Sequence, residues 1–381
     1  MKYRLGDLLY IKGRIGWKGL KKKEYLDKGD YRIINGTNII NGKVNWSSCG
    51  FISKERYNES PEIMLKANDI LITKDGTIGK VAIVEELSKP STVASGIFIL
   101  RNTSPNIWIT KYLYYYLQSY DFKSFIHSRI EGSVIPHLYQ KDFESLSIKS
   151  PSLEEQNTIS RRLELIDKKI DLNNQLNDNL LDFLDTEFSH QFLGERNFPS
   201  GKVKDFVNIK RGASPRPIKD FLSENGRSWV KISDVTKLTT PFLYRTEQYI
   251  KESGIKKSRT IKPGTLILSN SATPGIPVIS EILASVHDGW LIIDNYSLMD
   301  RNWFYLFFRQ MRNSLVAQAN GSVFNNLKTN IVKEFPVPIV DKSELTKFHK
   351  ISNPIFEKLN QIQQENIELN RIKQTLLSQY F

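Results

Sequence analysis

The second half of this chain restates the first, which limits it to a tandem architecture with two comparable folded copies. Residues 7–12 align with 205–210, a short alternating strand that opens each half, at an offset of 198. Residues 34–39 align with 230–235, and 70–73 with 266–269, both at an offset of 196. Thr77 and Gly79 then fall on Thr273 and Gly275. From Gly132-Ser133-Val134, which matches Gly321-Ser322-Val323, the offset is 189 and holds without a gap to the last residue.

That gapless stretch carries a seam in each copy. Ile159, Leu163, Ile166, Ile170, Leu180 and Leu184 are separated by threes, fours or their sums, and so are Phe348, Ile355, Leu359, Ile362, Leu369 and Leu376. Asn177 and Asn366 hold the same seam position, where a buried Asn fixes register at a cost in stability. A helix of roughly 40 residues is about 60 Å long, more than one domain needs to cover a face. The two helices are therefore expected to pair with each other, antiparallel about an approximate two-fold axis. The pairing set is Ile166, Ile170, Asn177 and Leu180 with Ile355, Leu359, Ile362, Asn366 and Leu369.

The expected organisation is a globular domain at 1–150, a spacer helix at 151–196, a second domain at 197–340 and a C-terminal helix at 341–381. Each globular half mixes short β-rich runs (70–73, 81–84 and 96–100; 265–269) with a helical aromatic stretch (110–128; 302–313). Strands and helices do not alternate regularly, so each half reads as an α+β domain rather than a parallel α/β one.

Charge follows the same division. The chain has a formal net charge of +13, and Lys plus Arg exceed Asp plus Glu by 8 in residues 1–150 and by 9 in 197–340. The two helical segments are acidic and nearly neutral, so two separate basic bodies face a polyanion. No run approaches the roughly 18 apolar residues of a membrane span, and no leader-like apolar stretch opens the chain. Cys49 is the lone cysteine, and His127, His137, His190, His287 and His349 show no ligand-like spacing. A cytoplasmic protein without a structural metal is expected.

Two pairs of loops are placed for nucleic-acid contact. Residues 74–80 (KDGTIGK) follow a strand and resemble a phosphate-cradling turn, although the spacing of Gly76, Gly79 and Lys80 is not that of a P-loop. The second copy, 270–275 (NSATPG), keeps the turn and replaces its charges with small polar groups, as two readers of different sequences require. Residues 12–19 and 210–216 are basic, glycine-bearing loops just after the opening strands. The expected DNA-contacting set in the first half is Lys12, Arg14, Lys18, Lys74, Thr77, Lys80, Ser133 and His137. In the second half it is Lys210, Arg211, Ser214, Arg216, Asn270, Ser271, Thr273, Asn325 and Asn326.

Catalytic readings fail on their chemistry. Asn353-Pro354-Ile355-Phe356 is close to a methyltransferase tetrad but lacks its second proline and reads instead as a turn leading into a helix. Asp167-Lys168-Lys169 falls on the expected outward face of the first long helix with no carboxylate partner, which does not make a nuclease site. Nucleophile elbows, Cys/His pairs and a Walker A sequence are missing from the sequence.

The order basic domain, heptad helix, basic domain, heptad helix resembles the specificity subunits of type I restriction-modification systems over essentially the whole chain. The likeness rests on residues 13–20 (GRIGWKGL), 65–84 (LKANDILITKDGTIGKVAIV), 151–156 (PSLEEQ) and the closing 376–381 (LLSQYF). The second copy has VDKSEL at 340–345 in place of the PxxxEQ pattern. The resemblance implies two target-recognition domains that read a bipartite, asymmetric double-stranded DNA site. It also implies two adenine methyltransferase subunits and ATP-dependent restriction and translocation subunits as partners. S-adenosylmethionine, ATP and Mg would sit on those partners, with no cofactor bound and no reaction catalysed by this chain. A stand-alone DNA-binding repressor or scaffold, and the recognition part of a fused restriction-methylation enzyme, are the alternatives.

Overall fold

Strands Ile70–Thr73 and Thr265–Ser269 have apolar, buried centres, Ile70-Leu71-Ile72 and Leu266-Ile267-Leu268, because each lies inside a sheet covered on both faces. The computed structural model describes residues 2–16, 19–130, 137–194, 198–236, 238–319 and 326–381. It separates into two compact units, residues 1–168 with 369–381 and residues 169–368.

In the first unit, Ile70–Thr73 is flanked by Ile97–Asn102 and Val81–Ile83, and Leu9–Gly13 closes the far edge beside Ile97–Asn102, all antiparallel. Register sets Ile72 opposite Phe98 and Ile70 opposite Leu100, and these side chains join Ile11 in a core with Tyr112, Leu113, Tyr115 and Phe122. The alternate residues Leu71, Ile97 and Ile99 point to the opposite face and pack with Ile34, Val84 and Val93. A second sheet orders Gly50–Ile52, Tyr31–Ile34 and Ser91–Val93, its last pair parallel.

The second unit repeats this plan. Thr265–Ser269 lies between Trp290–Asp294 and Pro277–Ser280, with Asn208–Arg211 beyond Trp290–Asp294. Leu266, Leu268, Leu291 and Ile293 face a core built on Trp303, Phe304, Phe307 and Phe308, whereas Ile267, Trp290 and Ile292 face Val230 and Val286. The aromatic stretches are each broken once: Thr110–Tyr116 gives way to Tyr120–Ile130, and Arg301–Gln310 to Arg312–Ala319. In the first, the Ser119 hydroxyl accepts from the Phe122 amide (3.3 Å), restarting the helix.

The long helices are Leu153–Phe188 and Lys342–Tyr380. Ser152 and Glu155 cap the first reciprocally, and Asp341 accepts from the Ser343 and Glu344 amides at the start of the second. In the first unit Leu163 and Leu377 share a core, and in the second Leu181 and Leu184 share one with Phe356 and Leu359. Within the second unit Asn173 meets Glu365 and Asn366 while Leu184 shares a core with Leu359, so numbers rise along one helix as they fall along the other and the pair is antiparallel there.

The seam differs in detail from the heptad reading. Leu359, Ile362, Asn366 and Asn177 are buried, whereas Ile166, Ile170, Leu180, Ile355 and Leu369 are half-buried. Leu181 takes the inward place expected of Leu180, because a 3.6-residue helix drifts from a 3.5-residue repeat. Pro354 lies inside the second helix, not at a turn leading into it. Asp167 is turned inward as well: Lys373 donates to it at 2.7 Å and the Tyr115 hydroxyl at 3.0 Å.

Gln156 explains the PxxxEQ segment. Its side-chain amide is fully buried, donating to the carbonyls of Ile107 and Pro151 and to the Ser150 hydroxyl while accepting from the Ile109 amide. A carboxamide alone supplies both donors and an acceptor at that point. Its repeat partner Leu345 sits buried in the apolar core of the second unit.

Candidate nucleic-acid interface

Both glycine turns are built on a buried hydroxyl at the end of a strand. In the first unit Thr73 Oγ1 donates to the Thr77 carbonyl (2.6 Å) and accepts from the Lys80 amide (2.9 Å). In the second, Ser269 Oγ donates to the Thr273 carbonyl (2.6 Å) and accepts from the Ile276 amide (2.8 Å). The Gly79 and Gly275 amides donate to the carbonyls of Thr73 and Ser269. Each turn is also tied down by equivalent bonds, Lys74 to Gly96 and Leu138 to Lys74 in one, Asn270 to Gly289 and Leu327 to Asn270 in the other. Gly76 and Gly79 have φ of 66° and 85°, and Ala272 and Gly275 have 56° and 80°, so the backbone path is the same. The roles of Thr73 and Ser269 were visible in the sequence only as two hydroxyl residues at one repeat position.

The side chains on this common frame differ. In the first unit Lys74 lays its ammonium 4.7 Å from the centre of the Phe98 ring, Thr77 is exposed, and Lys80 donates to the Gly36 carbonyl at 3.2 Å. His137 pairs with Asp75 and meets the Tyr139 ring edge-on. Lys12 lies on the neighbouring edge strand, its ammonium 6.0 Å from the Tyr10 ring centre. In the second unit Ser271 and Thr273 are half-buried and Asn326 is exposed.

Arg14 is not a surface contact. It is buried, donating from Nε to the Val93 carbonyl (3.1 Å) and towards the Ser60 and Thr92 hydroxyls, and burial pulls its pKa down. Asn270 is also turned inward, its Nδ2 donating to the Asp288 carbonyl at 3.1 Å. Basic and amide residues in a loop predict surface contact, but here strand Ser91–Val93 claims Arg14 and the turn at 287–289 claims Asn270. Lys18, Ser133 and Asn325 lie outside the described residues.

The second basic loop converges on a residue that sequence reading missed. Ser214 and Arg216 reach Asp288 with their side chains, at 2.8 and 3.3 Å, and Arg211 Nε donates to its carbonyl at 2.8 Å. Lys210 pairs instead with Asp294 at 3.2 Å. Gly212 is required because a Cβ there would lie 2.0 Å from the His287 carbonyl oxygen. Burial lowers the His287 pKa, so the imidazole between Trp229 and Trp290 is held neutral more readily than a free one.

Comparison with known proteins also finds the chain to be a tandem repeat. The family described as type I restriction modification DNA specificity domain matches residues 1–182 and again 195–377. The chain belongs to that family. Each specificity-domain match runs through a globular half and into the long helix that follows it. The MjaIX specificity subunit of Methanocaldococcus jannaschii is 23% identical over 386 residues, covering 94% of this chain and 87% of that protein. The EcoAI specificity subunit of Escherichia coli is 28% identical over 151 residues, 38% of this chain and 25% of its own length. The crystal structure of a type I restriction-modification S subunit from M. genitalium shares the fold, with a TM-score of 0.58 and 19% identity over 100% of this chain and 96% of that one. Among the described residues there is no cluster of metal-ligating side chains and no helix long and apolar enough to cross a membrane.

Proposed function

We propose that this DNA specificity subunit reads a bipartite, asymmetric double-stranded sequence, one half-site per specificity domain, and is itself non-catalytic. The observation that carries the reading is the shared turn: the same hydrogen-bonded frame presents Lys74, Asp75 and Lys80 in one unit, whereas in the other Ser271 is half-buried, Asn270 is turned inward and Ile276 packs against the core. Lysines and arginines around each turn neutralise phosphates and set register, and the turn and loop side chains meet base edges. Equal frames with unlike side chains give two half-sites of different sequence.

Recognition is passed to two methyltransferase subunits, which hold S-adenosylmethionine, and to restriction and translocase subunits, which use ATP and Mg. The complex works in the cytoplasm. The names of these relatives, specificity subunits of type I restriction enzymes, support a place in a restriction complex that acts on DNA.

The test is a domain exchange in the full chain. Residues 197–340 are replaced with those of another specificity subunit, the chain is expressed with its methyltransferase partner, and the modified adenines are mapped. One half-site should change and the other stay. A change in both, or methylation that does not depend on this chain, overturns the reading. A stand-alone repressor would instead bind one site at full affinity without the methyltransferase.

A further inference from the structure

Asp288 is an acidic residue that faces the basic loop from the turn between Ala284–Val286 and Trp290–Asp294, where its charge opposes binding to phosphate. Its Oδ1 accepts from Ser214 Oγ at 2.8 Å, and its Oδ2 lies 3.3 Å from Arg216 Nη2 and 3.8 Å from Arg211 Nη2. Its main-chain carbonyl accepts from Arg211 Nε (2.8 Å) and from Asn270 Nδ2 (3.1 Å), which ties it to the glycine turn. The chain beside it packs closely enough to require glycine, since a Cβ on Gly289 would lie 2.3 Å from the His287 ring and 2.5 Å from Ser271 Oγ. Burial by itself would raise the Asp288 pKa, but the Ser214 hydroxyl, a backbone amide and the two arginines outweigh it and hold the carboxyl below its usual range.

We infer that Asp288 is a positioning residue for specificity: it holds Arg211 and Arg216 in a preset arrangement so that Arg216 reads a guanine edge in the second half-site. This rests on the functional reading above. Arg216 is 81% exposed, and its planar guanidinium matches the O6 and N7 acceptors of guanine in the major groove. A loop serving phosphate attraction alone gains nothing from a carboxylate, which lowers affinity for every sequence equally. A carboxylate that restricts two arginines gives up affinity for orientation, and orientation is what discriminates bases. In the first unit the glycine that anchors the turn, Gly96, is preceded by Ser95, where the second unit has Asp288 before Gly289. The device therefore belongs to one half-site.

The experiment uses the full chain with its methyltransferase partner, as wild type, Asp288→Asn, Asp288→Ala and Arg216→Ala. Asp288→Asn keeps the shape of the side chain and an acceptor for Ser214, so it remains informative if the alanine variant fails to fold. Modified adenines are mapped, and binding to the cognate duplex and to duplexes altered at each position of the second half-site is measured across salt concentrations. Asp288→Asn should lose about ten- to hundredfold discrimination at one guanine position. It should also bind non-cognate DNA more tightly, with a salt slope steeper by about 0.9, and leave the first half-site unchanged. Arg216→Ala should lose discrimination at that same position. An unchanged motif and discrimination in Asp288→Asn, or a loss from Arg216→Ala spread equally over all sequences, overturns the inference. A wild-type complex that shows no bipartite motif overturns the functional reading instead.

Discussion

The Asn366 carboxamide oxygen accepts from the Asn173 amide at 2.9 Å, and the Asn366 amide donates to Asn174 at 3.0 Å. The polar layer of the helix pair therefore joins Asn366 to positions 173 and 174 and not to its repeat partner Asn177, whose amide nitrogen and oxygen are both buried without a partner. An unsatisfied buried amide costs about 1–3 kcal/mol. Asn177→Leu should raise the melting temperature, and Asn173→Leu, which removes the donor to the Asn366 oxygen, should lower it. Thermal unfolding of both variants checks the opposite signs.

Asp167 tests the inward placement of a residue that the heptad pattern sets outside. Lys373 is 11% exposed and Asp167 24%, and Tyr115 and Gln118 complete the cluster. Truncating one partner leaves a shielded charge unpaired, so Asp167→Ala should destabilise the protein by about 1–3 kcal/mol. Asp167→Ala combined with Lys373→Met should recover part of that loss. Equal melting temperatures for wild type and Asp167→Ala would return the residue to the surface.

Arg14 and Lys12 are two residues apart and are expected to behave differently. Arg14→Ala removes a buried guanidinium with three hydrogen bonds and should lower stability without altering the salt dependence of DNA binding. Lys12→Ala should leave stability within about 0.5 kcal/mol and flatten the salt slope by about 0.9. Unfolding curves and binding isotherms at several salt concentrations separate the two effects.

Gln156→Leu imports the residue that the second repeat uses at this position. It should nonetheless destabilise the first unit by about 2–3 kcal/mol, because the Ile109 amide and the Ile107 carbonyl lose their partner. Gln156→Glu supplies acceptors but no amide donors and should recover little. Hydrogen exchange at the Ile109 amide reports the break locally.

Periodic features were legible in the sequence by itself: the repeat, the two long helices, the buried central strands and the two basic bodies. Each is written along the chain, as an offset, a spacing of threes and fours, an apolar run or a local excess of lysine and arginine. The paired turns were legible too, because glycine and hydroxyl residues recur at matching offsets. Only tertiary structure decided which polar residues face inward. Arg14 finds Val93 across 79 residues, Ser214 finds Asp288 across 74, and Lys373 finds Asp167 across 206. A side chain's type sets what it must bond to when buried, but whether it is buried depends on which distant segment packs over it. For that reason Arg14 and Asn270 read as surface contacts and are interior, and Asp288, with no motif around it, emerged only when the loop and the strand end that hold it were brought together.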